Sequence, residues 1–219
     1  MPTKLFLVRH GETPDKEEKH DRNEGLSRRG YKEANSVAWY FRNTYFDFIY
    51  SSKYRRADAT AHALKNSNYR KEYEILYDSL FNEISRPDAE GKSYSDPVLK
   101  RYFAWRQNII YSPTEENVQS QFIGKGESYW KFLERCGQIP QVFSLPQFSG
   151  KNIIVYTHSQ LIVTVQTWLR HCSKPTPEQL MAPFRDRVNF PKCGSITELV
   201  FDDGFWTIAK SNFIDHLPK

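Results

Sequence analysis

The sequence lacks the main features of membrane, secreted and metal-knuckle proteins. No apolar run in its 219 residues approaches the roughly 20 residues that a membrane-spanning helix needs. The first apolar run, at residues 5–8, is too short for the core of a signal peptide and has no cleavage-like site after it. The three cysteines, Cys136, Cys172 and Cys193, are an odd number at spacings unlike a metal knuckle or a disulfide framework. These absences predict a cytoplasmic protein with reduced thiols and no membrane partner.

The sequence also lacks any concentration of charge of one sign. Its net charge is +5, from 31 basic and 26 acidic side chains, and the basic excess is spread along the chain. Nucleic-acid-binding proteins usually gather basic residues in a patch or stripe, so we expect no nucleic-acid partner. A small anionic substrate fits dispersed positive charge equally well. The sequence does not indicate an oligomeric state.

Apolar runs alternate with helical patterns, which is typical of a layered α/β fold. The predicted strands cover residues 4–8, 46–50, 74–77, 152–157, 195–201 and 205–210. The first predicted helix begins at an N-cap near Ser27, and four others cover residues 55–66, 98–110, 128–143 and 160–171. We therefore expect one domain over residues 1–219, with a mostly parallel sheet flanked by helices in three layers.

Residues 82–126 differ from the rest of the chain, because proline, glycine and aromatic residues interrupt the pattern there. A long irregular stretch inside a compact domain is often a lid or a binding loop. We expect this segment to be an inserted cap that packs over one end of the sheet.

Three of the predicted strands end in side chains that suit phosphate binding. The first strand leads into Arg9 and His10, the second into Arg55 and Arg56, and a later one into His158. Ligands of open α/β sheets bind at the carboxyl ends of the strands. Helix N-termini favour anions, and guanidinium groups match phosphate oxygens. The sequence therefore predicts a pocket for a phosphate group.

Ordered sequence blocks along nearly the whole chain resemble the motifs of the histidine phosphatase superfamily, also called the phosphoglycerate mutase-like family. The blocks are LVRHGET at 7–13, GLSRRG at 25–30, SSKYRRA at 51–57, NEI at 82–84, GES at 126–128, VYTH at 155–158 and GSIT at 194–197. One such block alone would be weak evidence, whereas the ordered set is specific. The resemblance implies a phosphoglycerate mutase-like α/β fold.

The resemblance also implies roles for individual residues. His10 would be the nucleophile that forms a phosphohistidine. Arg9, Arg56 and His158 would hold the phosphoryl oxygens, and Glu83 would act as general acid and then as general base. The expected substrate-binding residues are Arg9, Gly11, Thr13, Arg56, His158 and Ser159. No metal ligand and no cofactor are expected.

Two of these assignments have alternatives in the sequence. Arg55 is adjacent to Arg56, and a shift of one position would exchange their roles. Asp88 and Glu90 are further carboxylates in the same segment as Glu83, so either one is an alternative proton donor.

The chain departs from the family pattern at three positions. Lys16 stands where many members have asparagine, Ser159 where the residue after the second histidine is usually glycine, and Pro87 where the acidic motif has glycine. The backbone N–H of Ser159 remains, but its Cβ crowds the approach to it. These departures concern substrate fit and catalytic rate.

The sequence as a whole predicts metal-independent hydrolysis of a small phosphomonoester. One alternative is phosphoglycerate mutase-type phosphoryl transfer, although Glu83 is followed by Ile84 and Ser85 rather than by the ERHYG run of the mutases. The other alternative is a catalytically weak phosphate-ester-binding protein, which the residues at positions 16 and 159 suggest. The physiological substrate is not readable from the sequence.

Overall fold

The chain folds into a mixed β-sheet with helices on both faces. The computed structural model describes residues 1–14, 24–67, 73–85, 91–122, 126–171, 175–185 and 190–218. Within these ranges the strands are β1 (Thr3–Arg9), β2 (Phe48–Ser51), β3 (Ile75–Tyr77), β4 (Asn152–Thr157), β5 (Ile196–Asp202) and β6 (Phe205–Phe213). The helices in the same ranges are α1 (Arg28–Tyr40), α2 (Arg55–Ser67), α3 (Pro97–Tyr111), α4 (Glu115–Gln119), α5 (Tyr129–Phe143), α6 (Ser159–Arg170) and α7 (Pro177–Arg185).

The described strands pair in the order β3-β2-β4-β1-β5-β6. The first four of that order are mutually parallel, and the hairpin β5–β6 joins β1 in antiparallel fashion. The prediction of a mostly parallel sheet is therefore confirmed. Because β1, β2 and β4 are parallel neighbours, their carboxyl ends meet at one edge of the sheet.

The central strands are buried on both faces, which explains why they are continuously apolar. Along β1, Leu5 and Leu7 pack into one apolar cluster with residues of α5 and α6. Phe6 and Val8 point to the other face and pack with residues of α1 and α2. Side chains of β4 alternate between the same two clusters. The result is the three-layer arrangement expected from the sequence.

Two helices next to the site begin at serine caps. The Ser27 hydroxyl accepts a hydrogen bond from the Gly30 N–H at 3.0 Å at the start of α1. The Ser128 hydroxyl accepts one from the Lys131 N–H at 3.2 Å at the start of α5. Such caps satisfy N–H groups that have no partner within the helix.

The segment predicted to be a cap contains α3 and α4. Ile109, Ile110 and Val118 from this segment belong to the same apolar cluster as Leu5 and Leu7. Its helices therefore share the core of the sheet on the side of α5. The cap function itself stays a prediction. α4 and α7 were not predicted from the sequence.

Candidate active site

The carboxyl ends of β1, β2 and β4 bring the predicted phosphate-binding residues together. The His10 N–H, just beyond β1, donates to the Thr157 carbonyl at 3.0 Å. The Ser52 N–H, just beyond β2, donates to the Tyr156 carbonyl at 2.9 Å. These two hydrogen bonds attach the loops after β1 and β2 to the last residues of β4, immediately before His158.

The imidazole of His10 lies in a buried position with a defined tautomer. Its Nδ1 is 2.7 Å from the Gly11 carbonyl, which can only accept, so Nδ1 carries the proton. Its Nε2 is 3.0 Å from Nε of Arg56, and a guanidinium can only donate. Nε2 is therefore unprotonated, and its lone pair accepts the hydrogen bond from Arg56. A neutral nitrogen in this arrangement is able to act as a nucleophile.

The surroundings of His10 favour the neutral imidazole. Burial, first, and then the positive charges of Arg56 and Arg9 hold the pKa of His10 well below its usual range. The hydrogen bond to the Gly11 carbonyl opposes this effect without outweighing it. The balance of these effects favours the neutral imidazole over the imidazolium.

His158 lies beside His10, with the two ring centroids 5.1 Å apart. Its Nε2 is 2.8 Å from the Ser52 hydroxyl, which donates its own proton to Oδ1 of Asn82 at 2.8 Å. The Lys53 N–H also donates to this Oδ1, at 2.9 Å. Two donors therefore meet the same atom of Asn82, which must be the amide oxygen, an acceptor. Nε2 of His158 must therefore donate to Ser52. Ser52 and Asn82 were not predicted from the sequence to be site residues, although both lie inside blocks that resemble the family motifs.

The two predicted arginines reach the site from different elements. Arg56 lies in the first turn of α2, and Arg9 ends β1. A terminal guanidinium nitrogen of Arg9 donates to the Pro191 carbonyl at 2.6 Å, and its buried Nε has no hydrogen-bond partner among the described residues. Arg55, the alternative to Arg56, is exposed. The contact with His10 is therefore made by Arg56.

The loop after His10 packs directly against the start of α1. A Cβ on Gly11 would lie 2.4 Å from the Gly30 carbonyl oxygen, and a Cβ on Gly30 would lie 2.0 Å from the Glu12 carbonyl oxygen. The Glu12 N–H donates to the carboxylate of Glu33 at 2.8 Å, and burial raises the pKa of Glu33. The two glycines thus allow a backbone approach that fixes the loop carrying the nucleophilic nitrogen.

We expect Gly30→Ala to lower the free energy of unfolding by about 2 kcal/mol. A clash with backbone atoms puts the overpacking cost at the upper end of its usual range, about 3 kcal/mol, and the higher helix propensity of alanine offsets about 1 kcal/mol of it. Urea denaturation measures the change. Gly25→Ala is the matched control, because the nearest atom to its Cβ is Nε of Arg55 at 3.8 Å. Equal unfolding free energies for both variants would contradict the close-approach argument.

Glu83 is buried against the N-terminus of α6. One carboxylate oxygen is 3.3 Å from the Ile84 N–H and the other is 3.4 Å from the Gln160 N–H. Because α6 begins directly after His158, the carboxyl group lies at the same edge of the sheet as the two histidines. It also lines an open groove of about 430 Å³. The other residues that line this groove are Tyr54, Ser79, Asn82, Ser85, Gly126, Glu127, Lys131 and Arg135.

The structure describes some of the other residues singled out in the sequence and leaves others outside its described ranges. Thr13 is half-buried in the loop that follows His10, and Ser159 is the half-buried first residue of α6. The departures from the family pattern at positions 16 and 87, and the alternative proton donors at positions 88 and 90, lie outside the described residues. Among the described residues, no group of three or more histidine, cysteine, aspartate or glutamate side chains is arranged to hold a metal ion.

The family resemblance seen in the sequence is confirmed. The model of the histidine phosphatase superfamily (branch 1) matches residues 5–214, so the chain belongs to this superfamily. The enzyme class expected from the sequence, a histidine phosphatase, is thus supported at the level of the family. In the part of the chain that the structure describes, no helix is both long and apolar enough to cross a membrane.

Individual relatives agree with the family assignment. The chain is 31% identical over 136 residues to the fructose-2,6-bisphosphatase TIGAR of Xenopus tropicalis. The aligned region covers 60% of this chain and 50% of that protein. The chain thus spans about half the length of the curated relatives it matches. Bacillus stearothermophilus YhfR has a similar fold, with a TM-score of 0.77 and 19% identity over 99% of this chain and 100% of that one. Phosphoglycerate mutase from Bacillus anthracis does as well, with a TM-score of 0.71 and 17% identity over 99% and 95%.

Proposed function

We propose that the protein is a metal-independent phosphomonoester hydrolase that acts through a phosphohistidine on His10. The observation that carries this proposal is the pair of contacts on the imidazole. Nδ1–H donates to the Gly11 carbonyl, while the unprotonated Nε2 accepts a hydrogen bond from Nε of Arg56. The nucleophilic nitrogen is thus adjacent to a cation that suits phosphoryl oxygens. Membership of the superfamily supports the same chemistry.

The reaction would take place in two displacements. In the first, Nε2 of His10 attacks phosphorus, the bond from phosphorus to the leaving oxygen breaks, and Glu83 protonates that oxygen. In the second, Glu83 removes a proton from water as the water attacks phosphorus, and the nitrogen–phosphorus bond breaks to release phosphate. Arg9, Arg56 and His158 would stabilise the charge on the other phosphoryl oxygens. The further proposed substrate contacts are Gly11, Thr13 and Ser159.

The proposed substrates are small phosphate esters, and a sugar bisphosphate is the first specific candidate. Support for it comes from the Xenopus tropicalis relative named as a fructose-2,6-bisphosphatase. The mutase alternative is less well supported, because the ERHYG run of the mutases is missing after Glu83. A structural likeness to a mutase at 17% identity concerns the fold alone.

The direct test is phosphate release from p-nitrophenyl phosphate and from fructose 2,6-bisphosphate, in EDTA, from about pH 4 to about pH 8. Turnover of either ester without metal would support the proposal. Efficient isomerisation of 3-phosphoglycerate would favour the mutase instead. Tight binding of inorganic phosphate without turnover of either ester would favour the weakly catalytic binding protein.

We expect Glu83→Gln to slow substrates with poor leaving groups more than those with good ones. A glutamine cannot donate a carboxylic proton, and general acid catalysis is worth about 10²–10⁴-fold. Phenyl phosphate has a more basic leaving oxygen than p-nitrophenyl phosphate, so kcat/KM, which reports the first displacement, should fall about 100-fold for the first and about 10-fold for the second. Steady-state kinetics on the two esters measures the difference. Lys131→Gln removes a charge from the same groove and is the control for a purely electrostatic change, which would affect both esters alike.

A cytoplasmic location is part of the proposal. It is based on the cysteine content, and Cys136 and Cys193 are free thiols in the structure. Cell fractionation tests it.

A further inference from the structure

Arg135 on α5 makes several hydrogen bonds to the segment that leads into Glu83. Its Nη1 donates to the Leu80 carbonyl at 2.8 Å and to the Asn82 carbonyl at 2.9 Å. Its Nε and Nη2 donate to the two carboxylate oxygens of Glu127, both at 2.8 Å. The side chains of Arg135 and Glu127 are only 18% and 16% exposed. These charge-assisted bonds are therefore largely shielded from water.

Glu127 makes a second set of contacts on the other side of Glu83. Its backbone N–H donates to the Ser85 carbonyl at 3.0 Å, and its carboxylate accepts from the Ser85 N–H at 3.3 Å. The ion pair thus holds the chain at residues 80 and 82, before Glu83, and at residue 85, after it. A single side-chain pair brackets the proposed proton donor.

The opposite side of the same segment is fastened to the ends of the parallel strands. The Thr157 hydroxyl donates to the Phe81 carbonyl at 2.7 Å, and the side chain of Asn82 accepts from Ser52. Glu83 therefore lies between the strand ends that carry the histidines and the first turns of α5. Its position relative to His10 depends on both attachments.

We propose that Arg135 and Glu127 are positioning residues, which hold Glu83 at the distance from the leaving oxygen that proton transfer requires. The proposal rests on the function proposed above, with Glu83 as the general acid. Proton transfer needs donor and acceptor within about 2.6–3.2 Å, so a small displacement of Glu83 weakens catalysis. Neither side chain needs to touch the substrate for this effect.

The test is kcat/KM, which reports the first displacement, for phenyl phosphate and for p-nitrophenyl phosphate with the Arg135→Met variant. A displaced acid slows the ester that depends more on protonation, so we expect kcat/KM to fall about 10-fold for phenyl phosphate and about 2-fold for p-nitrophenyl phosphate. The affinity for inorganic phosphate should change little, because the phosphoryl-binding residues are untouched. Arg135→Lys keeps the charge but not the fork of donors, and it should show a smaller shift in the same direction.

Arg185→Met is the matched control. Arg185 also donates to a backbone carbonyl, that of Ile110, at 2.7 Å and pairs with Glu178, but it does so on α7. This control should lower both rates by the same small factor. Near-ultraviolet circular dichroism and thermal unfolding show whether each variant is folded, and the lysine variant decides the matter if the methionine variant is not.

The outcomes separate this proposal from the function on which it rests. Equal losses on the two esters, or no loss, with Arg135→Met and Arg135→Lys would overturn the positioning role while His10→Ala still abolishes turnover. Turnover that survives in His10→Ala, or a wild type inactive on these two esters and on fructose 2,6-bisphosphate, would overturn the proposed function and the positioning role with it.

Discussion

His10→Ala is expected to lower kcat for p-nitrophenyl phosphate at least about 10³-fold, because the covalent route through the imidazole is lost. Binding of inorganic phosphate should survive, since Arg9 and Arg56 remain in place. The measurement is steady-state turnover with EDTA present, together with phosphate binding by calorimetry. Loss of turnover with retained binding is the pattern expected for a missing nucleophile rather than a collapsed pocket.

The wild type should also carry phosphate on His10 during turnover. A phosphohistidine survives alkali and is lost in acid, so an alkaline quench followed by mass spectrometry distinguishes it from a phosphoserine. His62→Ala is the control, because this histidine lies on α2 with a 43% exposed side chain and pairs with Asp58. If His10→Ala and His62→Ala turn over substrate at similar rates, His10 is not the nucleophile.

The arrangement of the strand ends was predictable from the sequence because it follows from sheet topology. Once the apolar runs are read as parallel strands, Arg9, His10 and His158 must meet at one edge. The prediction needed the pattern of the runs and the residues that follow them. It did not need any contact between side chains that are distant in the chain.

The contacts that refine the site could not be predicted in the same way. Ser52 meets both His158 and Asn82, and Arg135 meets carbonyl groups more than fifty positions before it. Serine, asparagine and arginine are common surface residues, and nothing in their local sequence shows that they make these contacts. Their roles depend on the distances between elements, which only the folded structure supplies.

The helices α4 and α7 were missed for local reasons. α4 is a single short helix that owes its start to the Thr114 cap, and its apolar content is small. α7 contains Pro183 in its interior, a residue that argues against a helix. It is stabilised instead by Leu180, Met181 and Phe184, which pack into the core beside α3 and α6. Tertiary packing thus overrides the local signal.

The choice between Arg55 and Arg56 shows how the structure resolves an ambiguity of one position. Arg56 faces His10 on the inner side of α2, and Arg55 is exposed. Arg56→Met is expected to lower kcat/KM for p-nitrophenyl phosphate about 10³-fold, because a cation that stabilises the phosphoryl transition state is lost. Arg55→Met, one position away in the same helix, should change kcat/KM by less than about 2-fold.

The same pair of variants should differ in the pH dependence of kcat/KM. After burial, the charge of Arg56 is the next cause of the low pKa of His10, so its removal should raise that pKa. Because the attack requires neutral His10, activity is lost as the pH falls through this pKa, and the acidic limb of the profile should move to higher pH in Arg56→Met. Arg55→Met should keep the wild-type limb. A limb that stays in place in Arg56→Met, or moves equally in both variants, would mean that the contact between Arg56 and His10 does not control the protonation of the nucleophile.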